Sequence, residues 1–217
     1  MTTIGGHELT LPPTFQFGTT NKTPSFLSKF PLGKIPAFEG SDGFLLTESN
    51  AIALYLADTA PNPGKRDHLL GATPQERALV QQWLWFSFLH LETALTTLCV
   101  WRYGDGQFAK YDAVAEGKAE GDLKRWLEYL DGAIKDVVGK GVWLAGTEKP
   151  SIADLAVCGQ LYSGFLIYVD AEMRKGYPVL VEYFNRLLEE VPEIKELYDL
   201  DGKWVEVRKQ PDAASAV

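Results

Sequence analysis

Hydrophobic positions change rhythm about a quarter of the way along the chain. Over the first sixty residues, short apolar runs at 8–11, 35–38 and 44–46 are cut by turns and by Pro12, Pro13, Pro24, Pro31 and Pro36. Short apolar runs bounded by turn residues predict strands. Thr23-Pro24-Ser25 opens a short helix with proline at the first helical position. Another helix enters at Ser49, directly from the 44–46 strand, and extends to about residue 56. Pro61, Pro63 and Gly64 then fall in a polar stretch, which predicts a linker, placed at 63–72.

Beyond it the period is helical. Thr73-Pro74-Gln75-Glu76 joins a Thr cap, Pro at N1 and Glu at N3, the signature of a helix start. The helix it opens is expected to run to about residue 103 and to stop at Gly104-Asp105-Gly106. A second long helix is expected over 111–138, where Trp126, Leu127, Leu130, Ile134 and Val138 recur at helical spacing. Ser151-Ile152-Ala153-Asp154 forms a second capping box. Its helix, to about residue 168, is apolar on most faces and belongs at the centre of a bundle. Helices over 177–190 and 193–198 close the chain, and the tail beyond 209 is expected to be mobile. The organisation is therefore an α/β module over 1–62, a linker over 63–72 and an all-helical domain over 73–217.

Composition narrows the function. The 217 residues are 46% hydrophobic with a formal net charge of −8. A globular core follows. A nucleic-acid partner and an anionic membrane surface do not, because both select a clustered basic face. The N-terminus carries no signal-type apolar run, and no stretch reaches the length of a membrane helix, so a soluble, cytoplasmic protein is expected. Cys99 and Cys158 sit in apolar runs, as packing cysteines of a reducing compartment do; a disulfide or a reactive thiol is the alternative. The three histidines are scattered and no Cys/His spacing suits a metal, so no metal is expected.

Two segments are specific. One runs from Asn21-Lys22-Thr23-Pro24 through Pro31-Leu32-Gly33-Lys34-Ile35-Pro36 to Gly40; the other is Asp42-Gly43-Phe44-Leu45-Leu46-Thr47-Glu48-Ser49-Asn50-Ala51-Ile52-Ala53. Together they resemble the N-terminal domain of glutathione transferases, and are most similar to the amino-terminal domain of elongation factor 1B gamma and to fungal biosynthetic transferases of that subtype. The Ser151–Asp154 box resembles the family's capping box in its helical domain. The resemblance covers nearly the whole chain and is sharp over about residues 12–55. It implies a glutathione-transferase fold: a thioredoxin-like α/β module followed by an all-α helical bundle. It also implies glutathione as co-substrate or recycled cofactor. In that family a cis bond between Ile35 and Pro36 turns the Ile35 backbone outward to pair with the cysteinyl part of glutathione, as an added strand does. Ser49, at a helix N-terminus, would take the γ-glutamyl carboxylate. Glu48 would take its ammonium group, and Lys34 the glycyl carboxylate.

The family's domain begins with a strand and a long helix that carry the thiol-activating Ser, Tyr or Cys. Here six residues precede the segment matching its second strand, 8–11, too few for a strand and a three-turn helix. The module is thus expected to be incomplete, its remaining strands pairing directly or another chain covering the gap. No catalytic residue carries over. Candidates for the missing donor are His90, Tyr103 and Tyr162; a lone histidine on an aromatic helix is also an ordinary packing residue. Trp83, Phe86, His90 and Tyr103 are the candidate pocket for a small hydrophobic electrophile. The same aromatic helix, with Trp85 and Phe88, suits a dimer or domain interface equally. The family's homodimer is the expected assembly.

The leading function is addition of the glutathione thiolate to an electron-poor double bond of a small, secondary-metabolite substrate. The outcome is conjugation or, after rotation and elimination, cis/trans isomerisation. The alternatives are a non-catalytic scaffold of the elongation-factor-1B-gamma kind, or a shortened gene model with an upstream exon encoding the first strand and helix.

Overall fold

The computed structural model describes residues 4–103, 108–198 and 203–211. The chain divides into two units, Met1–Leu70 and Gly71–Val217. In the first, a 3₁₀ turn (Thr20–Lys22) leads to α1 (Pro24–Lys29), the hairpin β1 (Ala37–Glu39) and β2 (Leu45–Thr47), then α2 (Ser49–Asp58) and α3 (Pro63–Leu70). Thr23 caps α1 by accepting the Phe26 amide, with Pro24 in the first turn. The strands pair antiparallel with Ala37 opposite Thr47 and Glu39 opposite Leu45. Gly43, at φ +83, closes their turn; its N–H donates to the Gly40 carbonyl at 2.9 Å. Tyr55 of α2 packs its ring on Phe38 and Phe44, at 5.7 and 5.0 Å.

Three expectations are corrected here. Residues 8–11 hold a single bridge at Glu8 and no strand. The residues just before it are tied to helices: His7 Nε2 lies 3.0 Å from the Leu56 carbonyl, and Lys65 donates to the Ile4 carbonyl. Both strands begin later than expected, β1 by two residues, because Pro36 has no N–H to give a ladder. The linker expected at 63–72 is α3 as far as Leu70. Asn62 Oδ1 accepts the Gly64 amide at 2.8 Å and Pro63 takes the first helical position, which is a helix start.

In the second unit, α4 (Pro74–Phe86) continues through a π-helical turn (Ser87–Glu92) into α5 (Thr93–Cys99). Then follow α6 (Ala113–Val138), α7 (Ile152–Ile167), α8 (Ala171–Lys175), α9 (Pro178–Glu190) and α10 (Pro192–Tyr198). The helix from Thr73 therefore ends at Cys99; the expected stop at 104–106, like the tail from 212, lies outside the described residues. Thr73 with Glu76 and Ser151 with Asp154 both form complete capping boxes. α8, capped by Asp170 on the Met173 amide, was not expected. α7 lies at the core, with Asp154, Val157, Cys158, Leu161 and Phe165 buried. The Asp154 carboxyl accepts from the Leu144 amide, the Ser151 amide and hydroxyl, and the Tyr183 hydroxyl. Burial pushes its pKa up and those donors pull it back. Cys99 and Cys158 are free. No described helix is long and apolar enough to cross a membrane.

Candidate functional site

The β1–β2 register decides which residues meet. With Ala37 opposite Thr47, the residues just outside the ladder, Pro36 and Glu48, are brought side by side. The Ile35–Pro36 bond is cis. No hydrogen bond among the described residues engages the Ile35 N–H or carbonyl, and Ile35 is 46% exposed. An open backbone edge is thus presented next to the β2–α2 junction.

That junction has no loop. β2 ends at Thr47 and α2 begins at Ser49, so Glu48 alone must turn the chain, and it does so at φ +70, ψ 120. A non-glycine residue there costs of order 1–3 kcal/mol. Glu48 makes no capping bond to α2, and no described group accepts from the amides of Ser49, Asn50 and Ala51. The first turn of α2 therefore offers free N–H groups and positive potential. Glu48 and Ser49 are both exposed.

Lys34, one residue before Ile35, is exposed. Behind it the Gly33 carbonyl accepts from Asn21 Nδ2 at 2.7 Å and from Lys22 Nζ at 3.1 Å. Lys22 adds a second ammonium beside this turn. Neither Asn21 nor Lys22 was singled out from the sequence, although both lie inside the segment that carried the resemblance. The signal available was their position one turn before α1, facing the Gly33 turn across it.

The other candidates belong to the second unit. Trp83 and Phe86 are buried, at 4% and 8% exposure, and Trp83 Nε1 donates to the Leu144 carbonyl at 3.1 Å. His90 lies tilted against Trp126 at 4.3 Å and 5.4 Å from Phe86, and Trp83 packs on Phe86 and Tyr129, so Trp83, Phe86 and His90 come together in one packed cluster with Trp126 and Tyr129. Tyr103 stands apart from it, 62% exposed, with its ring tilted against Phe108 at 5.7 Å. The Tyr162 hydroxyl donates to the Tyr198 carbonyl at 2.9 Å and its ring stacks on Tyr198 at 4.0 Å. Trp85, Phe88 and Leu89 are the exposed apolar side chains of the aromatic helix, at 57%, 38% and 52%.

Residues 10–58 match the model of the glutathione S-transferase N-terminal domain. A glutathione S-transferase-like protein of Aspergillus aculeatus is 36% identical over 203 residues, spanning 93% of this chain and 90% of that protein. The chain belongs to the glutathione S-transferase superfamily. Within the superfamily it is elongation-factor-1B-gamma-like: elongation factor 1-gamma of Sus scrofa is 35% identical over 176 residues, 81% of this chain and 37% of that protein. Among solved structures, the glutathione transferase URE2P6 of Phanerochaete chrysosporium, in complex with oxidized glutathione, has a TM-score of 0.72 at 21% identity, covering 90% of this chain and 86% of that one. At that identity the likeness concerns the fold. Superfamily architecture, a thioredoxin-like module followed by a helical domain, is what the two units build.

Proposed function

We propose that this glutathione S-transferase-like chain binds glutathione along the Ile35–Ser49 edge and adds its thiolate to an electron-poor double bond. One observation carries the reading: the hairpin register sets the open backbone at cis Ile35–Pro36 beside the uncapped start of α2. The superfamily's glutathione-bound members support it. In this arrangement Ser49 and the free amides of α2 take the γ-glutamyl carboxylate, Glu48 its ammonium, the Ile35 backbone the cysteinyl amide groups, and Lys34 the glycyl carboxylate. Lys22, close by, adds to the same positive potential. A free thiol titrates near 8.5, so the positive end of α2 and the two ammoniums need to supply only a modest downward shift for substantial thiolate at neutral pH.

The thiolate sulfur attacks the β-carbon of the activated alkene, and the electron pair moves onto the carbonyl oxygen as an enolate. Protonation at the α-carbon completes conjugation. Rotation about the former double bond and elimination of the thiolate instead return glutathione and the isomerised alkene. The test follows a cis enone in the presence of glutathione, by loss of its conjugated-carbonyl absorbance for conjugation and by the appearance of the trans enone on a chromatogram for isomerisation. The expected result is turnover that Glu48→Ala lowers at least ~10-fold, through an orphaned ammonium. Turnover no faster than the solution reaction would overturn the catalytic step.

A second reading is a scaffold of the elongation factor 1-gamma kind. It is favoured by one specific observation: His90 and Tyr162 are both engaged in packing, leaving Tyr103 as the exposed donor among the three. Trp85, Phe88 and Leu89 likewise favour the interface reading of the aromatic helix, and we assign them to the superfamily's homodimer. Glutathione binding without turnover, in a dimeric protein, is the outcome that selects the scaffold.

A further inference from the structure

Asn21 is buried to 1% exposure. A buried amide is tolerated when both its halves are paired, and here both are paired to glycine backbone. Oδ1 accepts the Gly18 N–H at 2.7 Å, and Nδ2 donates to the Gly33 carbonyl at 2.7 Å. Both partners lie in left-handed conformations, at φ +80 and +58. One side chain therefore pins two turns that glycine alone adopts cheaply.

The turn at Gly33 has no room to drift. A Cβ there would stand 2.9 Å from the Asn21 carbonyl oxygen and 3.0 Å from Leu27 Cδ2. Its N–H donates to the Phe30 carbonyl at 2.9 Å, and its carbonyl takes Lys22 as a second donor. A trans peptide is planar, with C=O and N–H opposed. Fixing the Gly33 carbonyl inward consequently aims the Lys34 N–H outward and sets where Lys34 and Ile35 begin.

We infer that Asn21 is a positioning residue for the thiol ligand: it sets the Gly33–Lys34 peptide plane, and through it the Lys34 ammonium and the Ile35 backbone. The inference rests on the glutathione reading above. Asn21 acts on the Lys34–Ile35 side of the site and leaves the Glu48–Ser49 side alone, which separates positioning from general support of the fold.

The experiment is calorimetric titration of glutathione into the full chain and its variants. Asn21→Asp keeps the size and replaces the donor to Gly33 by an oxygen. It is expected to weaken glutathione roughly 10-fold. Combined with Lys34→Ala, the loss falls short of the product of the single losses, because both act through one turn; combined with Glu48→Ala, the full product is reached. Should Asn21→Asp not fold, Asn21→Ser, too short to reach Gly33, carries the same comparison. Unchanged affinity in the Asp or Ser variant, or equal products with Lys34→Ala and Glu48→Ala, overturns the inference while the glutathione reading stands. A wild type that binds no glutathione overturns both.

Discussion

Glu48 holds a backbone conformation, φ +70, that glycine would adopt freely. Its neighbours leave it no alternative, since the strand ends one residue before it and the helix begins one residue after. The carboxylate is the reason to keep a side chain there in the proposed site. Glu48→Gly is therefore expected to stabilise the fold, by up to about 1 kcal/mol, while weakening glutathione. Denaturant unfolding of the variant checks the first half; a clear loss of stability would show that the side chain supports the fold instead. Asn21 illustrates the opposite case. Its bonds are internal, to Gly18 and Gly33, and the effect proposed for it on the ligand passes through Gly33. Residues of both kinds lie within one short stretch of sequence, and composition separates neither from ordinary turn residues.

At the scale of elements, what was legible followed from capping chemistry. Thr73 with Glu76 and Ser151 with Asp154 gave helix starts that the structure reproduces bond for bond, because a cap is written within four residues. Asn62-Pro63 is also a cap, but neighbouring Pro61 and Gly64 make it read as a linker. Residues 8–11 have strand composition, yet a strand needs a partner, and local sequence does not state one. The π-helical turn at Ser87–Glu92 left no sign either, since its buried positions Ser87 and Leu91 keep ordinary helical spacing. The candidate site followed the same division. Ile35-Pro36 and Glu48-Ser49 were legible as a resemblance, whereas the burial of Trp83 and Phe86, and the bond from Tyr162 to Tyr198, depend on helix packing that no single segment encodes.

Packing of the helices is also expected to lower stability at alkaline pH. Burial pushes the Cys99 thiol at the end of α5 up to about 12, from an ordinary 9.0. Burial likewise pushes the Tyr198 phenol of α10 up to about 12, from 10.0. Both groups are neutral when protonated, so below their unfolded values they cost nothing. As pH rises from about 9 to about 12 the unfolded chain releases protons that the folded chain keeps, and stability falls. Chemical unfolding at a series of alkaline pH values should show that decline, and Cys99→Ser should flatten its lower part. A stability that stays level across this window would contradict the burial of both groups.

At the scale of the molecule, each unit is held by its own means. In Gly71–Val217 the segment 203–211 is strapped down by three arginines, of which Arg102 is buried. Arg102 donates to the Lys209 and Leu98 carbonyls and to Glu116, with its guanidinium over the rings of Trp101 and Tyr168. Arg174 donates to the Val205 carbonyl, and Arg208 pairs with Asp170. Arg102→Ala leaves Glu116 without its buried partner and should cost about 3 kcal/mol or more. Limited proteolysis should then cut within 203–211 first; a variant as resistant as the wild type would show that the strap is held elsewhere. Met1–Leu70 contains the proposed ligand edge, and the account as a whole depends on it. The measurement that tests it most directly is calorimetric titration of glutathione into the wild type beside Glu48→Ala and Lys34→Ala. The account predicts binding by the wild type, weakened in each variant by about 1–3 kcal/mol, the cost of an orphaned charged partner. Absence of binding at millimolar glutathione, or binding that both substitutions leave unchanged, would contradict it.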